Sequence, residues 1–153
     1  MRRAAFLIFA ALASAAYAQG RLLPDPSKPP PEGFKPHQLP FVTPKDGVAR
    51  EQYRSLPFYA VILKSGLPCA AAQKERAEIQ QLFPAHKVFA QLVDCGDDED
   101  TIRYTNVKDA VGFIAVYGGD TPEQAQAVLT KAKESGRFPG ANLRRMQAVL
   151  LYP

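Results

Sequence analysis

Tryptophan is absent, and cysteine, histidine and methionine occur only twice each. Two cysteines cannot build a four-thiolate zinc site, and two histidines leave little for any other transition-metal cage. No metal or cofactor is therefore expected. An excess of one charge is also lacking: 19 basic residues stand against 15 acidic ones, and from residue 58 onward the balance is 11 to 11. That argues against nucleic acid as a partner, because phosphate binding needs a net basic surface. No glycine-rich phosphate loop precedes a helix. What remains is the composition of one ordinary folded unit, 153 residues with 46% apolar and 22% charged side chains.

The N-terminus carries an export pattern. Met1-Arg2-Arg3 is a basic n-region, residues 4–16 are apolar or small throughout, and Ala16-Tyr17-Ala18 puts small residues where signal peptidase cuts, before Gln19. Residues 6–18 are too few to cross a bilayer as a helix, which takes about 20. Residues 1–18 are thus expected to be a cleaved leader rather than an anchor. The mature chain is expected in the periplasm or outside the cell, without stable membrane insertion.

Nine of the fourteen prolines lie between Pro24 and Pro57. Each removes an amide donor and fixes φ, so helix and central strand are disfavoured there. Residues 19–57 are expected to form a mostly irregular tether, with extended polyproline geometry holding a domain at residues 58–153 away from the N-terminus. A proline-rich ligand for an aromatic groove is the competing reading. A short helix capped by Asp46 is expected over 46–54, and Leu39, Phe41 and Val42 offer apolar side chains for partial packing.

Beyond Pro57 regular periodicity begins. Residues 58–63 are an aromatic and β-branched run, hence a strand. Residues 70–83 carry Ala72, Ile79, Leu82 and Phe83 at helical spacing before Pro84. Strands are expected at 87–95, 110–118 and 142–152, with a short extended piece at 101–105. Between the last two strands, Thr121-Pro122-Glu123-Gln124 has an N-cap hydroxyl, a proline in the first turn and a capping-box amide. Ala125, Val128, Leu129 and Ala132 follow on one helical face, and Gly136 closes the helix.

The order β-α-β-β-α-β implies an α+β fold, a ferredoxin-like four-stranded antiparallel sheet with two helices on one face. Its other face is expected to be open. The strands are nevertheless apolar at successive positions, so something is expected to lie over that face. In this topology the residue after the first strand, Cys69, and the end of the second, Cys95, emerge at the same edge. A disulfide is expected in an exported chain, with a redox-active pair as the alternative.

The segment Gly112-Phe-Ile-Ala-Val-Tyr-Gly-Gly-Asp-Thr-Pro-Glu-Gln-Ala125, then Val128-Leu129 and Phe138-Pro139-Gly140-Ala141, resembles the second half of a SPOR (sporulation-related repeat) domain. Residues 59–65 are similar to its first half. The resemblance spans residues 58–152 and implies a small βαββαβ module of the cell envelope and cell division. It implies no enzymatic activity and binding to septal peptidoglycan glycan strands that lack stem peptides. Family members commonly carry Gln in the first strand and Arg in the third, facing glycan on the open side; here those positions are Ile62 and Phe113, while Ser65 is retained. The expected ligand residues are Tyr59, Ser65, Tyr117 and Gln147, with Arg145 or Arg144 beside the fourth strand. The alternative partner is a periplasmic protein docked on the apolar open face.

Residues 97–100, Asp-Asp-Glu-Asp, lack the Asp-x-Asp-x-Asp-Gly spacing that wraps calcium and read as a solvated loop. His37 and His86 have no serine or cysteine near in sequence to form a nucleophile pair. No catalytic residue is expected.

Overall fold

The computed structural model describes residues 19–96 and 101–151. The leader, the acidic run 97–100 and the end of the last expected strand at Tyr152 lie outside the described residues. Strand alternation builds the centre of the molecule. In β4 (Phe58–Ser65), β5 (Val88–Gln91) and β7 (Phe113–Gly119), successive apolar side chains point to opposite faces. Val61, Leu63, Val88, Ala90, Ile114 and Val116 join one buried cluster, and Phe58, Ala60, Ile62, Phe89, Phe113 and Ala115 join another. Both faces are therefore apolar because both are covered.

The first cluster takes in residues of two helices, α1 (Cys69–Leu82) and α2 (Pro122–Glu134). Helix α2 starts as its sequence requires: Thr121 Oγ1 accepts from the Gln124 N–H, and Gln124 Oε1 accepts from the Thr121 N–H. Ala125, Val128, Leu129 and Ala132 are its buried residues. It approaches β7 closely, since a Cβ on Gly118 would come within 2.7 Å of Ala125 Cβ. Gly136, at φ +69°, follows the helix in the left-handed region that glycine tolerates.

With β8 (Asn142–Met146), these strands form a sheet of order β5-β7-β4-β8 in which every neighbouring pair is antiparallel. β4 and β5 therefore run parallel with β7 between them, as the split arrangement demands. The expected second strand is shorter than 87–95, ending at Gln91.

The fold differs from the expectation of a single sheet. It is an α+β structure with two helices and two sheets among the described residues. The second sheet has five strands in the order β2-β1-β3-β9-β6: β1 (Gln19–Leu22), β2 (Phe41–Val42) and β3 (Gln52–Ser55) from the proline-rich region, β6 (Ile102–Tyr104), and β9 (Ala148–Leu151). The extended piece near 101–105 exists, but it pairs with β9 in this layer. The expected last strand breaks at Gln147, leaving β8 in one sheet and β9 in the other. Leu56-Pro57 likewise separates β3 from β4. Since β3 pairs with β9 and β4 with β8, two adjacent strands turn the same corner together, a common way for two packed sheets to share strands.

The expected open face is thus closed by the chain itself. Leu22, Leu39, Phe41, Ile102, Tyr104, Ala148 and Leu150 pack with the second face of the four-stranded sheet. The Tyr104 ring lies 4.9 Å from Phe89 and 5.7 Å from Phe113, centre to centre. The Leu39 N–H donates to Tyr104 Oη, and the Ala90 N–H donates to the His37 carbonyl, fastening the proline-rich segment to the edge at β5. Much of residues 19–57 is irregular, but the segment is a covering layer and does not stand off as a spacer. Proline blocks amide donation only where it sits, and Gln52–Ser55 lies in a proline-free stretch. The helix expected over 46–54 is replaced by a local turn. There the Asp46 carboxylate accepts from the Val48 N–H and pairs with the Arg50 guanidinium at 2.6 Å, after which the chain enters β3.

Candidate functional site

The sequence-expected ligand residues do not form one site. Tyr59 and Ser65 stand at opposite ends of β4: Tyr59 is the register partner of Gly119 and Arg145, and Ser65 that of Phe113. Tyr117 is half-buried, its ring 5.7 Å from that of Phe58. Its hydroxyl donates to Asp120 Oδ1 at 2.6 Å. Burial, then the Asp120 hydrogen bond and charge, push this phenol well above the usual tyrosine range. Tyr117 lines a shallow pocket of about 400 Å³ with His86, Asp120 and Gln124.

Gln147 serves the architecture. Its amide donates to the Ser55 carbonyl at 2.9 Å, its N–H donates to Thr105 Oγ1 at 2.8 Å, and its carbonyl accepts from the Thr105 N–H. Arg145 is exposed, and its carbonyl accepts from Asn106 Nδ2 at 2.7 Å. Cys69 and Cys95 are bonded to each other, with Cα atoms 5.4 Å apart. Because Cys69 opens α1 and Cys95 follows β5, the bond ties a helix start to a strand end at the same sheet edge. The disulfide is consistent with an oxidising, extracytoplasmic location.

Ser65 and Arg144 line one groove. It measures about 470 Å³ and lies at the end of the four-stranded sheet, with the half-buried Val107 and Val111 on its apolar side and the buried Ile62 and Phe113 at its floor. Asn106, Lys108 and Asn142 complete its polar lining. The Arg144 guanidinium is oriented by Nε donating to Asn142 Oδ1 at 3.1 Å. Neither Arg144 nor Lys108 has an ion pair among the described residues. The groove therefore offers a hydroxyl, two amides and two cations around a small apolar surface.

No protein-family model, curated protein or solved structure matches this chain.

Sequence reasoning missed Asn106, Lys108 and Asn142. Asn106 has φ +60°, a conformation asparagine tolerates better than most residues, and an Asn between Thr105 and Val107 was the only available hint of that turn. The face assigned to glycan by the SPOR resemblance, bearing Ile62 and Phe113, lies beneath the second sheet, with Phe113 only 2% exposed. It is not available as an open recognition surface, for glycan or for a docked protein.

Proposed function

We propose that this protein is a non-enzymatic module of the bacterial periplasm that holds peptidoglycan glycan strands in the Ser65–Arg144 groove. The observation that carries the reading is the convergence of Ser65, Asn106, Asn142, Lys108 and Arg144 around an apolar rim formed by the half-buried Val107 and Val111. Sugars present rows of hydroxyls that require both donors and acceptors, and weakly polar C–H faces that lie against apolar side chains. Ser65 supplies both hydrogen-bonding roles, Asn106 keeps its amide oxygen as an acceptor while its Nδ2 is held by the Arg145 carbonyl, Asn142 orients Arg144, and the cations donate only. A groove at the sheet end, rather than the sheet face, is where this chain leaves such groups in solvent. The SPOR-like helix and strand pattern of residues 112–141 is in keeping with this reading.

The test is co-sedimentation of the chain beginning at Gln19 with sacculi stripped of stem peptides by amidase. The wild type is expected in the pellet, and S65A combined with R144Q is expected to lower the bound fraction at least fivefold while leaving the circular dichroism spectrum unchanged. Absence of the wild type from the pellet, or equal pelleting of the double variant, overturns the proposal.

A further inference from the structure

A second pocket, about 800 Å³, lies between β1, β2 and the proline-rich turn that joins them, and shares no residue with the Ser65 groove. Leu22, Leu23, Pro40 and Val42 supply apolar lining. Its size and mainly apolar walls suit a drug-sized organic molecule, for which a few polar groups fix orientation.

The polar groups here are unbalanced. Lys87 lines the pocket and is 7% exposed, yet among the described residues its ammonium makes one hydrogen bond, Nζ donating to the Pro36 carbonyl at 2.8 Å. An ammonium carries three N–H donors. No carboxylate pairs with it among the described residues. Its charged neighbour is Arg76, of the same sign, and burial together with that charge draws the Lys87 pKa down to about 8. Asp25, the acid in the lining, is engaged by Lys28 at 3.2 Å, whereas Arg21 has no ion pair among the described residues. A buried cation without a counter-ion is costly, and an anion placed beside it relieves that cost.

We propose that this pocket binds a small amphiphilic organic anion, with its anionic group at the Lys87 ammonium and its apolar body along Leu22, Leu23, Pro40 and Val42. Arg21 adds to the attraction at the entrance. This site is independent of glycan binding and would survive the failure of that reading.

The probe is 1-anilinonaphthalene-8-sulfonate, titrated by fluorescence into the chain beginning at Gln19 at neutral pH and 0.15 M salt. N-phenyl-1-naphthylamine, the same skeleton without the sulfonate, is the neutral control. One saturable site for the sulfonate is expected, with binding about tenfold weaker in K87M, the scale of one charge-assisted hydrogen bond. K87M should leave affinity for the neutral compound unchanged. If K87M does not fold, L23E places a carboxylate at a 36% exposed lining position and is expected to weaken the sulfonate by a larger factor than the neutral compound. Equal affinity of the wild type for the two compounds, or sulfonate binding undiminished in the folded variant, overturns the proposal.

Discussion

Ser55 and Gln147 are 92 positions apart, and the Gln147 side chain donates to the Ser55 carbonyl at 2.9 Å. The neighbouring atoms complete a clasp: Ser55 Oγ accepts from the Ala148 N–H at 3.0 Å and donates to the Leu56 carbonyl at 2.8 Å. Ser55 is fully buried. The clasp sits where β3 passes into β4 and β8 into β9, so it holds the corner at which both strands change sheets.

S55A strips the Ala148 N–H of its partner in that buried corner and is expected to cost about 1 to 3 kcal/mol. Q147A, which takes the side-chain donor from the Ser55 carbonyl, is expected to cost about 1 kcal/mol. Urea unfolding checks both, and a midpoint unchanged in S55A would mean that the corner is held by packing alone.

Phe41 distinguishes a covering layer from a spacer. Its side chain is 2% exposed and meets Phe34 edge-on at 5.7 Å. F41A is expected to destabilise the protein by about 3 to 5 kcal/mol, the range for truncating a buried phenylalanine. A substitution in a solvated tether would leave the unfolding midpoint where it was.

The disulfide closes a loop with a sequence separation of 26. Chain-entropy reasoning puts the loss in the double variant C69A/C95A at roughly 3 to 3.5 kcal/mol. Both sulfurs belong to half-buried residues packed at the edge of the helix-side core. A structural bond is expected to stay oxidised in a glutathione buffer, measured by alkylation and mass spectrometry; ready exchange would favour the redox-active alternative.

Lys87 gives stability a particular pH dependence. Its folded pKa, about 8, lies below the ordinary lysine value of 10.5 because of burial and then the charge of Arg76. Below pH 8 the ammonium is protonated in both states and its burial penalty is fully present. Between about 8 and 10.5 the unfolded chain binds more protons, so this residue makes stability rise with pH. Comparing urea midpoints at pH 7 and pH 9, the wild type is expected to gain relative to K87M; parallel shifts in the two proteins would refute the assignment.

The candidate groove shows where local reading stops. Ser65 and Arg144 were legible as polar residues at the ends of strands, but Asn106 and Lys108 come from a turn whose position depends on β6 joining the other sheet. Tyr117 and Gln147 look equally suited to a ligand in sequence. Their polar atoms are engaged by Asp120 and by Ser55 through contacts that only the folded chain creates. Lys87 reads as the charged first residue of a strand, and nothing local announces that the Pro36 carbonyl closes over its ammonium.

The capping box at Thr121, the helix face from Ala125 to Ala132, the apolar strands and the split β-α-β order were all determined by the sequence itself, because each depends on spacing along a few consecutive residues. The meeting of Cys69 and Cys95 followed from that order. Only the tertiary structure decided that residues 19–57 cover the second sheet face and that the last strand divides at Gln147. Apolar burial has no direction: Leu39, Phe41, Tyr104 and Leu150 seek any surface that excludes water, and which surface they find is fixed by the whole chain at once.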